Sequence, residues 1–365
     1  MASSRYKISK EKQGDLPETS SMELVLKEDD FGNFTKLLHS LSKDTITACI
    51  IGTVAYQSIH DTQRRTVYGN TIERPIKSFG SDGSGSYIAS IHVKGRNGWL
   101  NRSELDQLIA TLQSYLETCL DDTLWDKPRW TLNEKRRIDF VFEVDRIYAA
   151  RYAQHGQSLY VKDKKRGRKL EVFIENLKEL HRSTSHDVEF IVQSPQYVGC
   201  ASSSMDTRST AHDPASRSYS ESNFLLWLTV SCMEVACGVT PVVVTHPVIR
   251  TWEPGQVKIS EVLLTMLASS MCNQTGLNTH PPGTNVEKDT PGKHWDIHKT
   301  RIMIDHPWYR ENMMETKRII AERTELMQWF ESDPMIRLRL KNKKSTDTVK
   351  SKGVDIMEIS GNAKK

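Results

Sequence analysis

Apolar and polar segments alternate through the middle of the chain and predict strands and helices in turn. Short segments rich in Val, Ile, Thr and aromatic residues are typical of buried strands. Alternation of strands and helices favours a mainly parallel sheet with helices on both faces, so the pattern predicts an α/β fold. The predicted strands are TITACIIGTVAY (45–56), SYIASIHV (86–93), RIDFVFEVD (137–145), VEFIVQSP (188–195) and PVVVTHPVI (241–249).

Helices are predicted where apolar residues recur every three or four positions. Asn101 and Glu104 have the spacing of a capping box, and an apolar stripe follows them as far as Leu120. Gly238 ends the apolar segment 220–238 and is a candidate helix C-cap. Further helices are predicted for GQVKISEVLLTMLASSM (255–271) and RENMMETKRIIAERTELMQWF (310–330).

Bulk composition narrows the class of protein. The chain has 365 residues, a net charge of +4 and a mean hydropathy of −0.53. Its first residues do not resemble a signal peptide, no apolar run is long enough to span a bilayer, and the six cysteines form no C-x-x-C motif. We therefore expect a cytoplasmic protein with no membrane partner. It would have a flexible polar arm (1–40), one α/β domain (41–335) and a disordered basic tail (336–365).

A cluster of positive charge precedes an apolar helical stripe in LYVKDKKRGRKLEVFIENLKELHR (159–182), and only Asp163 opposes it. Helical spacing predicts that four of its cations share one face and that the apolar stripe anchors the helix to the core. Because the net charge is small, any basic surface must be local. The cluster is either a solvated helix face or a surface that binds phosphates; anchoring argues against a free nuclear import signal. We call these residues the basic row: Lys162, Lys164, Lys165, Arg166, Arg168 and Lys169.

Polar residues at predicted strand ends are the candidates for chemistry, because parallel sheets bind ligands beyond the carboxyl ends of their strands. Ser90 and His92 share a face of strand 86–93. They are either candidates for nucleophilic chemistry or hydrogen-bonded core residues. Glu143 and Asp145 share a face of strand 137–145 and could hold an amino group, a ribose or a metal, or be solvated. Asn97 lies in the turn KGRNG, which could approach a phosphate or be a tight turn.

Glu261 lies in an otherwise apolar helix. Burial of a carboxylate raises its pKa toward values suited to proton transfer, so Glu261 is a candidate general base or amine anchor; the alternative is an exposed helix acid. His294 and His298 have the spacing of helical zinc ligands, but nearby prolines and glycines predict a loop. We expect neither a metal site nor a cofactor.

The order of these features resembles the cyclodipeptide synthases over residues 86–280. A strand bearing Ser90 is followed by a Gly/Asn loop and a helix, a strand ending at Asp145, the basic row, and a late helix carrying Glu261. The divergent fungal branch that makes arginine-containing cyclodipeptides is the most similar. The resemblance implies a Rossmann-like three-layer sandwich with a mainly parallel sheet, similar to class I aminoacyl-tRNA synthetases.

The resemblance also implies an aminoacyltransferase that joins the amino acids of two aminoacyl-tRNAs, one of them arginyl-tRNA, into a cyclic dipeptide. Ser90, beside His92, would accept the first aminoacyl group, Glu261 would handle the amine, and the basic row would bind tRNA. Asp145 or Glu143 could pair with an arginyl side chain. Two positions depart from the family: Val257 stands where it has a Tyr, and Thr279–His280 where it has a Tyr–His pair.

Two other functions stay open from the sequence. One is a Rossmann-like transferase that uses a nucleotide cofactor and places Glu143 or Asp145 on its ribose. The other is a non-catalytic RNA-binding protein, in which only the basic row matters.

Overall fold

A computed structural model gives the fold, and its described residues fall into two compact units, Met1–Pro307 and Trp308–Lys365. No helix in the described ranges is both long enough and apolar enough to cross a membrane. The structure describes residues 30–52, 83–96, 98–127, 129–149, 157–184, 189–192, 194–205, 211–212, 214, 219, 223–284 and 295–332.

The described helices and strands have the following bounds. The helices are α1 (Asp30–Ser40), α2 (Lys43–Ile50), α3 (Arg102–Cys119), α4 (Asp122–Trp125), α5 (Leu132–Ala149), α6 (Lys164–Ser183), α7 (Phe224–Cys237), α8 (Gln256–Leu267), α9 (Trp295–Asp305) and α10 (Trp308–Ser332). The strands are β1 (Gly85–Val93), β2 (Gln196–Ala201) and β3 (Pro241–Arg250).

The sheet overturns the predicted fold class. In the described residues it has three strands in the order β2–β1–β3, and β1 is antiparallel to both neighbours. Of the residues that the structure describes, 61% are helical. The prediction of a Rossmann-like sandwich with a mainly parallel sheet, similar to class I aminoacyl-tRNA synthetases, is therefore wrong.

The central strand β1 has two chemically different faces. Ile91 and Val93 belong to the main hydrophobic core, which includes buried residues of α3, α5, α6 and α7. The alternate positions of β1 point to the opposite face of the sheet. On that face the Ser86 hydroxyl is hydrogen-bonded to Ser260 of α8 at 2.5 Å. We call the first the bundle face and the second the α8 face.

Two segments predicted as strands are helical. The described part of TITACIIGTVAY, residues 45–52, falls largely in α2, whose N-terminus is capped when the Ser42 hydroxyl accepts the Thr45 N–H at 3.1 Å. Residues 53–56 of this predicted strand lie outside the described residues. RIDFVFEVD lies in α5, where Ile138, Val141 and Val144 are fully buried at three-residue spacing. Its apolar residues thus form a helical stripe and not the side of a strand. The described residues of VEFIVQSP, 189–192 and 194–195, also do not form the predicted strand, and β2 begins only at Gln196.

Other predictions are confirmed. Asn101 and Glu104 form a complete capping box at the start of α3, and Gly238 ends α7 in the left-handed conformation with φ of 61°. Strands β1 and β3 and helices α6, α8 and α10 lie within or close to the predicted ranges. Within the predicted polar arm, residues 30–40 form α1, which packs on α8. The predicted tail 336–365 lies outside the described residues, and the predicted domain limits remain predictions.

Gly199→Ala tests the close contact between β2 and β1. A Cβ at position 199 would lie 2.4 Å from the hydroxyl of Tyr87, a side chain only 2% exposed. We expect the substitution to lower the free energy of unfolding by about 1–3 kcal/mol, because a packed side chain must move. Urea unfolding measures this.

Gly32→Ala is the matched control, since a Cβ there meets nothing within 4 Å and position 32 lies in α1. It should leave stability unchanged or raise it by up to about 1 kcal/mol. Equal effects of the two substitutions would contradict the described packing of Tyr87.

Candidate functional site

The basic row lies at the N-terminus of α6. The helix begins at Lys164, and the Asp163 carboxylate caps it by accepting the N–H of Arg166 at 2.8 Å. Lys162 therefore precedes the helix, and the prediction that it shares one helical face with Lys165, Arg166 and Lys169 is wrong. The row's single acid is used as the cap.

An apolar stripe anchors α6 in the main core, as predicted. Gly167 lies against α3's end, where a Cβ would approach Leu120 Cδ2 to 3.0 Å. The first turn of α6 therefore packs directly against the end of α3. The basic row is thus held on a fixed element and not on a loose segment. The stripe's fully buried members are Leu170, Phe173, Ile174 and Leu177.

The charges of the row fall into two groups. Lys165 and Arg168 are exposed and have no carboxylate partner among the described residues. Lys164 lies 3.4 Å from Asp122 in an ion pair whose side chains are 78% and 74% exposed; such a pair contributes little and is easily displaced.

The other two cations of α6's first turns lie against the protein. Arg166 stacks over the ring of Phe224, with 5.4 Å between its Cζ and the ring centroid. Lys169 donates to the carbonyl of Thr279. Burial lowers the pKa of Lys169, and repulsion from Lys165 and Arg166 lowers it further.

The helix dipole makes this placement of cations unfavourable. The N-terminus of a helix carries a partial positive charge and favours acidic side chains, each by about 0.3–1 kcal/mol. The first turn of α6 has no acidic residue. A bound polyanion would turn this repulsion into attraction.

Ser90 and His92 lie next to each other on the α8 face of β1, as their alternation predicted. They are 2% and 4% exposed, and Gln196 of β2 pairs directly with Ser90. Ser90 Oγ, both ring nitrogens of His92 and Gln196 Oε1 are buried without a hydrogen-bond partner among the described residues. Burial lowers the pKa of His92 to about 4. The sequence did not indicate Gln196, because a cross-strand partner is known only from the register.

Glu261 lies farther along the same face, in α8. Its Oε2 accepts the N–H of Gly283 at 2.8 Å and the thiol of Cys200 at 3.3 Å. Burial raises the pKa of the Glu261 carboxyl, and these two hydrogen bonds oppose the rise. Glu261 is thus a buried acid in a polar setting, and its role as general base or amine anchor remains a prediction.

Asp145 and Glu143 do not share a face, contrary to prediction, because positions two apart in a helix point in nearly opposite directions. Asp145 is buried; one oxygen accepts the Tyr115 hydroxyl at 2.6 Å and the other the Leu159 N–H at 2.8 Å. Burial raises its pKa to about 6. Glu143 is exposed and lines a surface depression of about 500 Å³ on α5. Their roles in substrate binding remain predictions.

Two of the predicted residues lie outside the described ranges, namely Asn97 and His294. His298 lies in α9, where a loop was predicted, and its Nδ1 is 3.3 Å from Arg250 Nη1. The described residues contain no group of three His, Cys, Asp or Glu side chains suited to a metal ion.

The predicted catalytic and substrate residues lie in different places. Glu261 contacts Cys200, whose partner on β1 is Ser86. Ser90 is four residues farther along, or about 13 Å on an extended strand. Asp145 lies in α5, within the helices on the bundle face. The structure therefore does not bring Glu261, Ser90 and Asp145 together in one compact site.

Comparison with known protein families, characterised proteins and solved structures finds no match to this chain. The resemblance to cyclodipeptide synthases thus remains one of residue pattern. The fold that it implied is not the fold of this chain.

Asp145→Asn tests the buried carboxyl. Its folded-state pKa of about 6 exceeds the ordinary value of 3.8, so the folded state binds the extra proton between these pH values. The free energy of unfolding should therefore fall as pH rises from about 4 to about 6, by at most about 1.4 kcal/mol per unit. Urea unfolding across this range should show that Asp145→Asn lacks this part of the slope.

Glu143→Gln, an exposed change in the same helix, should keep the wild-type slope. The Asn side chain can keep both contacts, because its Oδ1 can accept the Leu159 N–H while its Nδ2 donates to the Tyr115 hydroxyl. An unchanged slope in Asp145→Asn would show that this carboxyl titrates alike in the folded and unfolded chains.

Proposed function

We propose that this protein binds RNA, with tRNA as the partner to test first, through the basic row at the start of α6. One observation carries the proposal: five cations occupy residues 164–169 at the positive end of a helix whose first turn has no acidic residue. This arrangement lowers the stability of the isolated protein. A phosphate chain would compensate for it.

The rigidity of the row supports binding to a structured polyanion. The buried stripe of α6 fixes the backbone, while Lys165 and Arg168 extend into solvent. Lysine and arginine contacts to phosphates give affinity without reading sequence, and they depend steeply on salt because counterions are released. The overall charge of only +4 makes the row a local feature of the surface.

Aminoacyl transfer is a second candidate function, and the Ser90–His92 pair favours it. Their buried polar atoms have no partner in the described structure. Ser90 Oγ would attack the ester carbonyl of an aminoacyl-tRNA, and neutral His92 would accept the hydroxyl proton. The tRNA 3′-oxygen would then leave with that proton and yield an aminoacyl-serine. Ser90 Oγ and the His92 ring nitrogens are not hydrogen-bonded to each other, which is why RNA binding stands first.

Neutralising the exposed cations tests the first proposal. The double variant Lys165→Gln/Arg168→Gln should bind tRNA more weakly, with the slope of log affinity against log salt smaller by about 1.4–1.8. The matched control is Lys178→Gln/Arg182→Gln, which removes equal charge from the other end of α6, where each residue pairs with a glutamate. Fluorescence anisotropy at several salt concentrations measures both.

Stability separates binding from folding in this experiment. The Lys165→Gln/Arg168→Gln variant should be as stable as the wild type or slightly more stable, because it removes cations from a helix N-terminus. Lost affinity together with lost stability would point to misfolding, and an unchanged salt slope would exclude the row from the interface. Equal affinity for duplex DNA would contradict the assignment to RNA.

Ser90→Ala tests the acyl transfer. Wild-type protein incubated with arginyl-tRNA carrying radiolabelled arginine should retain the label after RNase digestion and acid precipitation, and Ser90→Ala should not. Ser86→Ala is the control, since Ser86 is also buried on the α8 face but is bonded to Ser260. Labelling of Ser90→Ala at the wild-type level would refute the role of this hydroxyl.

A further inference from the structure

A second group of polar side chains lies on the bundle face of the sheet, near the basic row. Ala89 of β1 pairs with Tyr197 of β2 and Thr245 of β3, so these residues share that face. We call the following residues the polar–aromatic cluster: Tyr87, Tyr197, His212, Asn223, Trp227 and Thr245.

His212 connects the sheet to the start of α7. Its Nε2 is 2.8 Å from the Tyr87 hydroxyl, and its Nδ1 is 3.3 Å from Asn223 Nδ2. The rings of Tyr197 and His212 have centroids 5.1 Å apart. Trp227 follows Asn223 by four residues, which places it one helical turn farther on the same side of α7. Helix α7 also packs on β3, the strand of Thr245.

Three polar atoms of the cluster have no hydrogen-bond partner among the described residues: Asn223 Oδ1, Trp227 Nε1 and Thr245 Oγ1. Asn223 and Trp227 are 3% and 1% exposed. Buried polar atoms in native proteins are nearly always hydrogen-bonded, so three on the neighbouring elements α7 and β3 indicate a missing partner.

The chemistry of these atoms defines the missing partner. The Asn223 N–H₂ group can only donate, so it donates to His212 Nδ1, and its Oδ1 is left as an acceptor. Trp227 offers an N–H donor, and the Thr245 hydroxyl can do either. The complement is an uncharged group with adjacent donors and acceptors. The edges of nucleobases have this character.

The cluster adjoins the basic row. Arg166 of the row stacks over Phe224, the residue directly after Asn223, and also donates to the carbonyl of Tyr160 at 3.5 Å. An RNA whose phosphates lie along the row would therefore pass beside the cluster. RNA-binding proteins commonly take single unstacked bases between aromatic side chains and hydrogen-bond their edges.

We propose that the polar–aromatic cluster binds one unstacked nucleobase of the RNA, held by Asn223, Trp227 and Thr245. The proposal rests on the RNA binding proposed above and adds base recognition to it. The phosphate contacts of the row supply affinity, and the cluster supplies preference for a base.

Free nucleosides test the cluster without RNA. Adenosine, guanosine, cytidine and uridine are titrated separately into the full-length protein by calorimetry. At least one should bind, and Trp227→Phe and Thr245→Val should each weaken it about tenfold, the loss expected for one hydrogen bond. Thr245→Val keeps the shape of the side chain and removes only the hydroxyl, whereas Trp227→Phe removes the indole N–H together with part of the ring system.

The melting temperature distinguishes a binding site from a structural role. Thr245→Val removes a hydroxyl that has no partner in the described structure, so its melting temperature should stay the same or rise. Trp227→Phe also leaves a cavity in the core and should lower the melting temperature, so its nucleoside affinity is compared with that of a matched control. The control is Trp125→Phe: Trp125 Nε1 donates to the Thr118 carbonyl at 3.0 Å. This control should lower the melting temperature and leave nucleoside affinity unchanged.

The possible outcomes separate the two proposals. If no nucleoside binds, or if the variants bind like the wild type, the cluster holds only water or nothing, and base recognition is refuted. Loss of tRNA binding in Lys165→Gln/Arg168→Gln would in that case still support the basic row. If a nucleoside binds as predicted but tRNA does not bind, the cluster is a nucleoside site and the proposed RNA binding is wrong.

Discussion

The burial of one apolar stripe fixes the most unusual electrostatic feature of this protein. Leu170, Phe173 and Ile174 are buried within the main core. Their packing fixes the position of α6, including its first turn. The cations before them therefore stand at the positive end of the helix, where repulsion disfavours them. Hydrophobic burial of three such side chains is worth several kcal/mol, at about 1.5–3 kcal/mol each. It outweighs the cost of the charges, so the protein can keep a surface that suits phosphates.

The sheet provides the second constraint, because its two faces carry different chemistry. Ser90 and His92 lie on the α8 face of the sheet. Tyr197 and Thr245 lie on the bundle face, which is the side of α7. The basic row is joined to the bundle face through Arg166 and Phe224. Phosphate binding and base binding would therefore use neighbouring elements, while the acyl-transfer candidate lies on the opposite side of the sheet.

Local patterns in the sequence predicted local structure well. The capping box at Asn101, the C-cap at Gly238 and the apolar stripe of α6 each depend on residues within a few positions of one another. Strand direction has no such local signal, so alternating segments suggested a parallel sheet that the structure does not contain. The strand prediction for 137–145 was wrong for another reason. Ile138, Val141 and Val144 have the spacing of a helical stripe, but the apolar residues between them concealed that period.

The candidate sites divide in the same way. Ser90 and His92 are two positions apart on one strand, so their shared face was predictable. Asn223 lies within the predicted helical segment 220–238 and Thr245 within the predicted strand 241–249, and neither was a site candidate. Only the register of β1 with its neighbours and the contacts of His212 bring them together, and neither can be read from a single sequence.

Photo-crosslinking tests the central claim most directly. The protein would be bound to tRNA containing 4-thiouridine, irradiated, digested and analysed by mass spectrometry. The account predicts crosslinked peptides from the start of α6, residues 162–169, and from the start of α7 around Asn223. Crosslinks confined to other elements, with none in these two segments, would contradict it.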